Sequence, residues 1–425
     1  MVTPVLMPAV ESAVIHAPNS RISIASYNEV LDVFQARLHD IWPIADVEHL
    51  KCQLKSSNTD PVSHALAAAL CAATLAQLRL GLTPTPCPRD LSATAEDFAK
   101  ECLRIRLEHY YHQEPSLEAL VTSVFLHMYY ANRDQVTPAT ILLREAITYA
   151  DLMHLCHTLQ SDSVHSKQWQ LELRCYWVLF VTERTFCIQH DLPISLHRIS
   201  NLPEIEDDSS RGNLYAGFCT LVQLFLHVQR LLFLPRTTSK AIEATDVYTR
   251  DELSDIQQEI QFKMPKPELI SEIRYVDILT TSAWVRSLLW QYSASRFMLS
   301  SSTSIEPLSF DYPLSIAKDY LEALSHVSIS SLRSHGYGME IKLLQVANSV
   351  LDFMLCMPNL LNHETCRIGP FDAILAMEKL LSQVGGIKSE RLYLLHQRLS
   401  QIPSSITLPP MLQLSEQEEV PDSIL

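Results

Sequence analysis

Glycine is nearly missing from this chain. Eight glycines stand among 425 residues, against about 7% in ordinary soluble proteins. Gly-rich turns and phosphate-cradling loops are therefore scarce, which favours helices joined by proline and polar links. The hydrophobic fraction is 47% and the charged fraction 19%, so a sizeable core can be buried. The length suits two or three ordinary domains or one large helical array.

Start signals and periodicity place the helices. Over 27–41, Val30, Leu31, Val33, Phe34, Leu38 and Ile41 recur at helical spacing. Asp60-Pro61 is an N-cap followed by proline at the first helical position, and opens an Ala-rich helix to about residue 80. A proline-bearing loop over 81–92 leads to a helix over 97–111. Pro115-Ser116 opens a helix to about 131 and Thr137-Pro138 another to about 157; the polar link 132–136 makes them an antiparallel hairpin. A long helix covers 169–190, followed by an extended run over 192–202 and an acidic link over 204–208. Further helices are expected over 214–233, 250–262, 269–299, 313–324, 339–357, 371–383 and 389–399. The fold class is all-α, a multi-helix array of antiparallel hairpins. No 34-residue repeat and no sustained heptad pattern appears. The apolar stretch 221–235 is broken by Gln223, His227, Gln229 and Arg230 and is too short for a transmembrane helix. The expected organisation is a flexible tail over 1–25, a helical region over 26–210, a second packed on it over 211–412, and an acidic tail over 413–425.

Charge and cysteine spacing narrow the function. Net charge is −15, and no run of Lys and Arg forms the basic patch that phosphate neutralisation requires. The ten cysteines include no Cys-x-x-Cys pair for zinc or redox chemistry. The first 24 residues have no basic n-region and no long apolar core, so no signal peptide is expected, and a reducing compartment follows.

No nucleophile elbow, P-loop, dinucleotide fingerprint or His-Glu-x-x-His occurs. Three weaker constellations remain. His154 and His157 share a helix face and could ligate a metal, but histidines near a helix C-terminus more often serve its dipole and last carbonyls. His335-Gly336-Tyr337-Gly338 has a faint likeness to an esterase oxyanion loop, and reads better as a helix-to-helix turn needing positive φ. Glu204, Glu206, Asp207 and Asp208 lack the ligand spacing of a calcium loop and read as a solvated link. No catalytic, cofactor-binding or metal residue is assigned, and no cofactor is expected. Glu172, Arg174, Glu183 and Arg184 flank Tyr176, Trp177 and Phe180 on one helix, read as a core helix with a salt-bridged rim.

Several strings carry a resemblance when taken in order. Leu142-Leu143-Arg144-Glu145-Ala146 opens a segment running to Leu152, followed by the His154–His157 turn; then come Tyr176-Trp177, Thr182-Glu183-Arg184 and His190-Asp191-Leu192-Pro193. Downstream stand Val276-Asp277-Ile278-Leu279, Trp284-Val285-Arg286 and Ser334-His335-Gly336-Tyr337-Gly338-Met339-Glu340. Over roughly 27–352 the chain resembles the middle homology region of fungal zinc-cluster transcription factors, and Thr182-Glu183-Arg184 with Leu202-Pro203 is most similar to the amylolytic and maltose-utilisation activators. The resemblance implies a nuclear, helical regulator of transcription, for sugar utilisation or a biosynthetic gene cluster. In that family an N-terminal six-cysteine zinc cluster and a basic linker make the DNA contacts; this sequence contains neither. Direct DNA binding by this chain alone is not expected. Action through protein partners is, either the transcription machinery or a DNA-binding factor, with no membrane and with room for a small-molecule effector. The alternative is a helical scaffold or adaptor without a transcriptional role.

Overall fold

The computed structural model describes residues 22–56, 60–80, 93–112, 114–159, 166–197, 199, 201, 212–232, 248–297, 299–300, 305–356, 369–386 and 389–402. The loop expected over 81–92, the acidic link over 204–208, Leu202-Pro203, the tail 413–425 and all but the last residues of the tail 1–25 lie outside them. Among the described residues the chain forms α-helices, two 3-10 turns and no strand. None of these helices is long and apolar enough to cross a membrane.

The first body begins with α1 (Ile24–Arg37), α2 (Val47–Lys55), α3 (Pro61–Gln77) and α4 (Ala95–Glu108). It continues through α5 (Leu117–Ala131), α6 (Val136–Leu152), the short α7 (Leu155–Thr158), α8 (Lys167–His190) and α9 (Gly212–Leu232). Side-chain caps set the starts: Ser23, Asp46, Asp60, Thr94, Ser116 and Ser166 each accept from the backbone N–H three residues on. A cap of this kind contributes about 1 kcal/mol. Helix α3 is the hub, because residues 64–77 are all buried and its run of alanines lets α1, α4 and α5 approach closely. The α5–α6 hairpin expected from the sequence packs side by side along most of its length.

The second body is built on α14 (Gly336–Cys356), which packs against α12 (Tyr312–Leu324), α15 (Pro370–Gly385) and α16 (Glu390–Leu399). Between the bodies runs α11 (Glu272–Arg296), with α10 (Arg250–Phe262) beside it. Ile278, Trp284, Val285 and Leu289 of α11 join the first core, and Val276, Leu279, Ala283 and Trp290 the second. With apolar residues turned to both cores, α11 is the wall that they share.

Four departures from the sequence reading have physical causes. The helix expected over 137–157 ends at Leu152, because His154 takes left-handed backbone with φ of 53° and starts α7 as a separate turn. Helix α2 is short and mostly polar, and α13 (Ile329–Arg333) is a single turn, so neither shows a long apolar period. Of the expected 335–338 turn, only Gly336 has positive φ, 53°. Gly338 is already helical, so α14 starts three residues earlier than expected.

Trp177 of α8 is fully buried, and its indole N–H donates to the carbonyl of Asn201 at 2.8 Å. Trp177→Ala should cost about 3–5 kcal/mol in urea unfolding. A change near zero would show that the ring is not in the core.

Candidate functional site

Glu183 and Arg184, expected in a salt-bridged rim of a core helix, do pair with one another at 2.7 Å. The pair lies in the interior rather than at a rim, completely buried, and the reason is the extended segment that follows α8. Glu183 Oε1 accepts from Arg144 Nη1 at 2.8 Å and from the Ser195 N–H at 2.6 Å; Oε2 accepts from Arg184 Nη1 at 2.7 Å and the Leu196 N–H at 3.1 Å. Arg184 Nη2 donates to the Leu196 carbonyl at 2.7 Å, and the Tyr176 hydroxyl to that of His197 at 2.7 Å. A segment with no strand partner thus has its backbone groups satisfied by one face of α8. Clamping that face orients the other: Val178, Val181, Thr182, Thr185, Phe186 and Gln189, at intervals of three and four, line a cavity.

The cavity holds about 150 Å³. From the first body it receives His127, Met128 and Asn132 of α5, Trp42 of the α1–α2 link, and Phe218 of α9. Asp277 of the shared α11 and His335, Tyr337, Gly338, Met339 and Lys342 of the second body close it. It therefore lies where the two cores meet.

Its charged floor is a buried cluster. Lys342 Nζ donates to Thr281 Oγ1 at 2.7 Å and stands 3.5 Å from Asp277 Oδ1, while Arg274 Nη1 reaches Asp277 Oδ2 at 3.3 Å. Arg274 also donates to the backbone carbonyls of Asp40 and Ile41. Burial alone would push the Asp277 carboxyl up, but Lys342, His335 and Arg274 together outweigh it and hold it below the usual range. Burial pulls the Lys342 ammonium down, partly offset by Asp277. His335 is likewise lowered by burial, and its Nε2 hydrogen faces the Ile273 carbonyl at 3.0 Å. His127 donates from Nδ1 to the Ala139 carbonyl at 2.9 Å, and burial lowers its pKa to about 4. Both rings are neutral at pH 7, with the nitrogen opposite the bonded one left as acceptor.

Around the cavity the seam between the bodies is polar. Gln77 Nε2 donates to the Ser334 carbonyl at 3.0 Å and the Tyr337 N–H to Asn132 Oδ1 at 3.2 Å. Arg391 makes a forked pair with Asp134 at 2.7 and 2.6 Å and lies over the Tyr337 ring. Arg79 pairs with Glu340 and the Gly385 carbonyl, and Gln189 donates to the Tyr337 hydroxyl. Gly336 is required here: a Cβ would stand 2.7 Å from Asn132 Oδ1 and 2.9 Å from the Gln77 carbonyl.

The other sequence candidates do not converge on this site. His154 and His157 are both exposed, and the left-handed residue at 154 takes them off a common helix. Among the described residues no three His, Cys, Asp or Glu side chains are grouped to hold a metal. The thiols of Cys102 and Cys175 are pushed up to about 12 by burial and act as small apolar groups. Of the strings singled out in the sequence, 276–279 and 334–340 do supply the cavity, through Asp277, His335, Tyr337, Gly338 and Met339.

Glu183→Ala strands Arg184 in the core and should cost about 3–5 kcal/mol in urea unfolding; a loss below about 1 kcal/mol would mark an exposed, screened pair. His127 is held neutral in the fold, with a pKa of about 4 against an ordinary 6.5. The unfolded chain therefore binds the extra proton first as pH falls. The stability this group contributes is complete above pH 6.5 and is lost down to about pH 4, some 3 kcal/mol in all. Unfolding at pH 7 and 4.5 should show a steeper loss in the native protein than in His127→Gln, and equal slopes would contradict it.

No family model matches the chain. It is similar to "Probable sucrose utilization protein SUC1" of Candida albicans, 28% identical over 330 residues, which covers 76% of this chain and 63% of that protein. It is also similar to "Maltose fermentation regulatory protein MAL13" of Saccharomyces cerevisiae, 22% identical over 328 residues, 77% of this chain and 67% of the relative. A third relative, "Respiratory transcription factor ZNF1" of Saccharomyces cerevisiae, is 23% identical over 336 residues, 78% of this chain and 70% of its own length. The chain thus spans about two thirds of the length of these relatives. These relatives are named for sucrose utilisation, maltose fermentation and respiratory transcription, in keeping with the group that the ordered sequence strings resemble.

Proposed function

We propose that this chain is the helical regulatory body of a transcription regulator of sugar utilisation. It works in the nucleus through protein contacts and answers to a small effector. Its similarity to maltose and sucrose utilisation regulators over about three quarters of its length is the observation that carries the reading. The charge of −15 supports protein contacts over direct contacts to DNA, since phosphate binding calls for a basic surface. A cavity walled by two separately packed cores suits an effector site, because an occupant that touches both bodies changes the free energy of their contact.

The test is genetic. Deleting the gene should alter transcripts of sugar uptake and hydrolysis genes after transfer to maltose or sucrose, and a tagged chain should be nuclear. A cytoplasmic chain whose deletion leaves those transcripts unchanged would favour a helical scaffold instead.

A further inference from the structure

Two glycines two residues apart in α14 have opposite surroundings. Gly336 is explained by the fold, through its positive φ and the close approach of Asn132 and Gln77. Gly338 is helical, where glycine is less favourable than alanine. A Cβ built on it meets no atom within 4 Å. Nothing in the fold asks for a bare backbone there. The space in front of it is the cavity between the two cores.

We propose that this cavity binds one small, uncharged, hydroxyl-rich ring molecule of monosaccharide size, and that Gly338 leaves the room for it. The volume of about 150 Å³ is that of cavities of roughly 150 Å³ that accept one benzene molecule, so a single ring is the most that this cavity takes. The lining is not uniformly apolar, so a bare hydrocarbon is a poor match. His127 Nε2 is an acceptor because Nδ1 donates to Ala139, and Asp277 is a second acceptor. Asn132, Gln189 and Lys342 bring donors to the same walls. A hydroxyl group both donates and accepts, and so can pair with either kind.

The charges decide against an ion. Of the charges in the buried cluster only Lys342 and Asp277 line the cavity, 3.5 Å apart and offsetting one another, while Arg274, outside the lining, is taken up by Asp277 and the Asp40 and Ile41 carbonyls. An anion entering the cavity meets the Asp277 carboxylate, and a cation meets the Lys342 ammonium. Trp42, Phe186 and Phe218 bring aromatic carbon to the lining for the C–H side of a ring. Binding is a property of the cavity itself; only its regulatory meaning rests on the function proposed above.

The experiment uses the purified full chain, by calorimetry and thermal shift. The probes are D-glucose, D-fructose and myo-inositol, with glucose 6-phosphate and benzene as comparators. At least one of the three neutral polyols should bind with one-to-one stoichiometry and raise Tm. Gly338→Ala should weaken that binding about tenfold, and Gly338→Leu should abolish it. Both variants should retain the native helical circular dichroism and a Tm no lower than that of the unliganded native protein, since each side chain enters empty space. Should the leucine variant fail to fold, the alanine variant decides by the same criterion. Failure of all three polyols to bind overturns the proposal, as do tighter binding of glucose 6-phosphate, binding of benzene alone, or unchanged affinity in a folded Gly338→Leu. Polyol binding that Gly338→Leu removes without altering the sugar-gene transcripts would uphold the site and sink the regulatory reading.

Discussion

A helix buried on all sides can carry charge only where each charge finds a partner inside the protein. Helix α11 is buried in this way and carries Arg274, Asp277 and Arg286, all within the interior. Their partners come from elements far apart in sequence. Arg274 takes the carbonyls of Asp40 and Ile41, Asp277 takes Lys342, and Arg286 takes the Tyr312 hydroxyl. Satisfying α11 therefore fixes the α1–α2 link, α12 and α14 at once. The seam between the cores, with its forked Arg391–Asp134 pair and its bonds to the 334–337 turn, follows from that arrangement.

On the other side of the cavity, α8 plays the matching part. One of its faces holds an extended segment by side-chain bonds from Glu183, Arg184, Tyr176 and Trp177, and the other presents a stripe to the cavity. Polar groups at the cavity are thus held by secondary contacts: the His127 and His335 rings are oriented by backbone carbonyls, and Lys342 by Thr281. Such preorganisation lowers the cost of ordering groups when a ligand arrives. The two walls belong to different cores, so an occupant would also bear on how those cores meet.

Much of the fold was legible in the sequence because its signals are local. Caps at Asp60 and Ser116 and the period through Val30, Phe34 and Leu38 mark helices without tertiary help. The positive φ at Gly336 could be read as well, since few residues other than glycine favour it. Burial of Glu183 and Arg184 could not be read, because it depends on Ser195 and Leu196 lying back against α8. The short α2 is not legible either, because a nine-residue helix with few apolar positions carries little periodic signal. The cavity was invisible for the same reason as the buried pair: His127, Thr185, Asp277 and Gly338 are distant in sequence and meet only through packing. Gly338 resembled a turn glycine in the string, and only its empty surroundings distinguish it from Gly336.

Backbone amide hydrogen exchange tests most directly whether the cavity couples the two cores. It would be run on the full chain with and without the polyol that binds. Added protection is expected on both sides of the seam, over 127–132 and 181–189 in the first body and over 335–342 in the second. Protection confined to one body, or none at all in a chain shown to be saturated, would contradict a site shared between the cores.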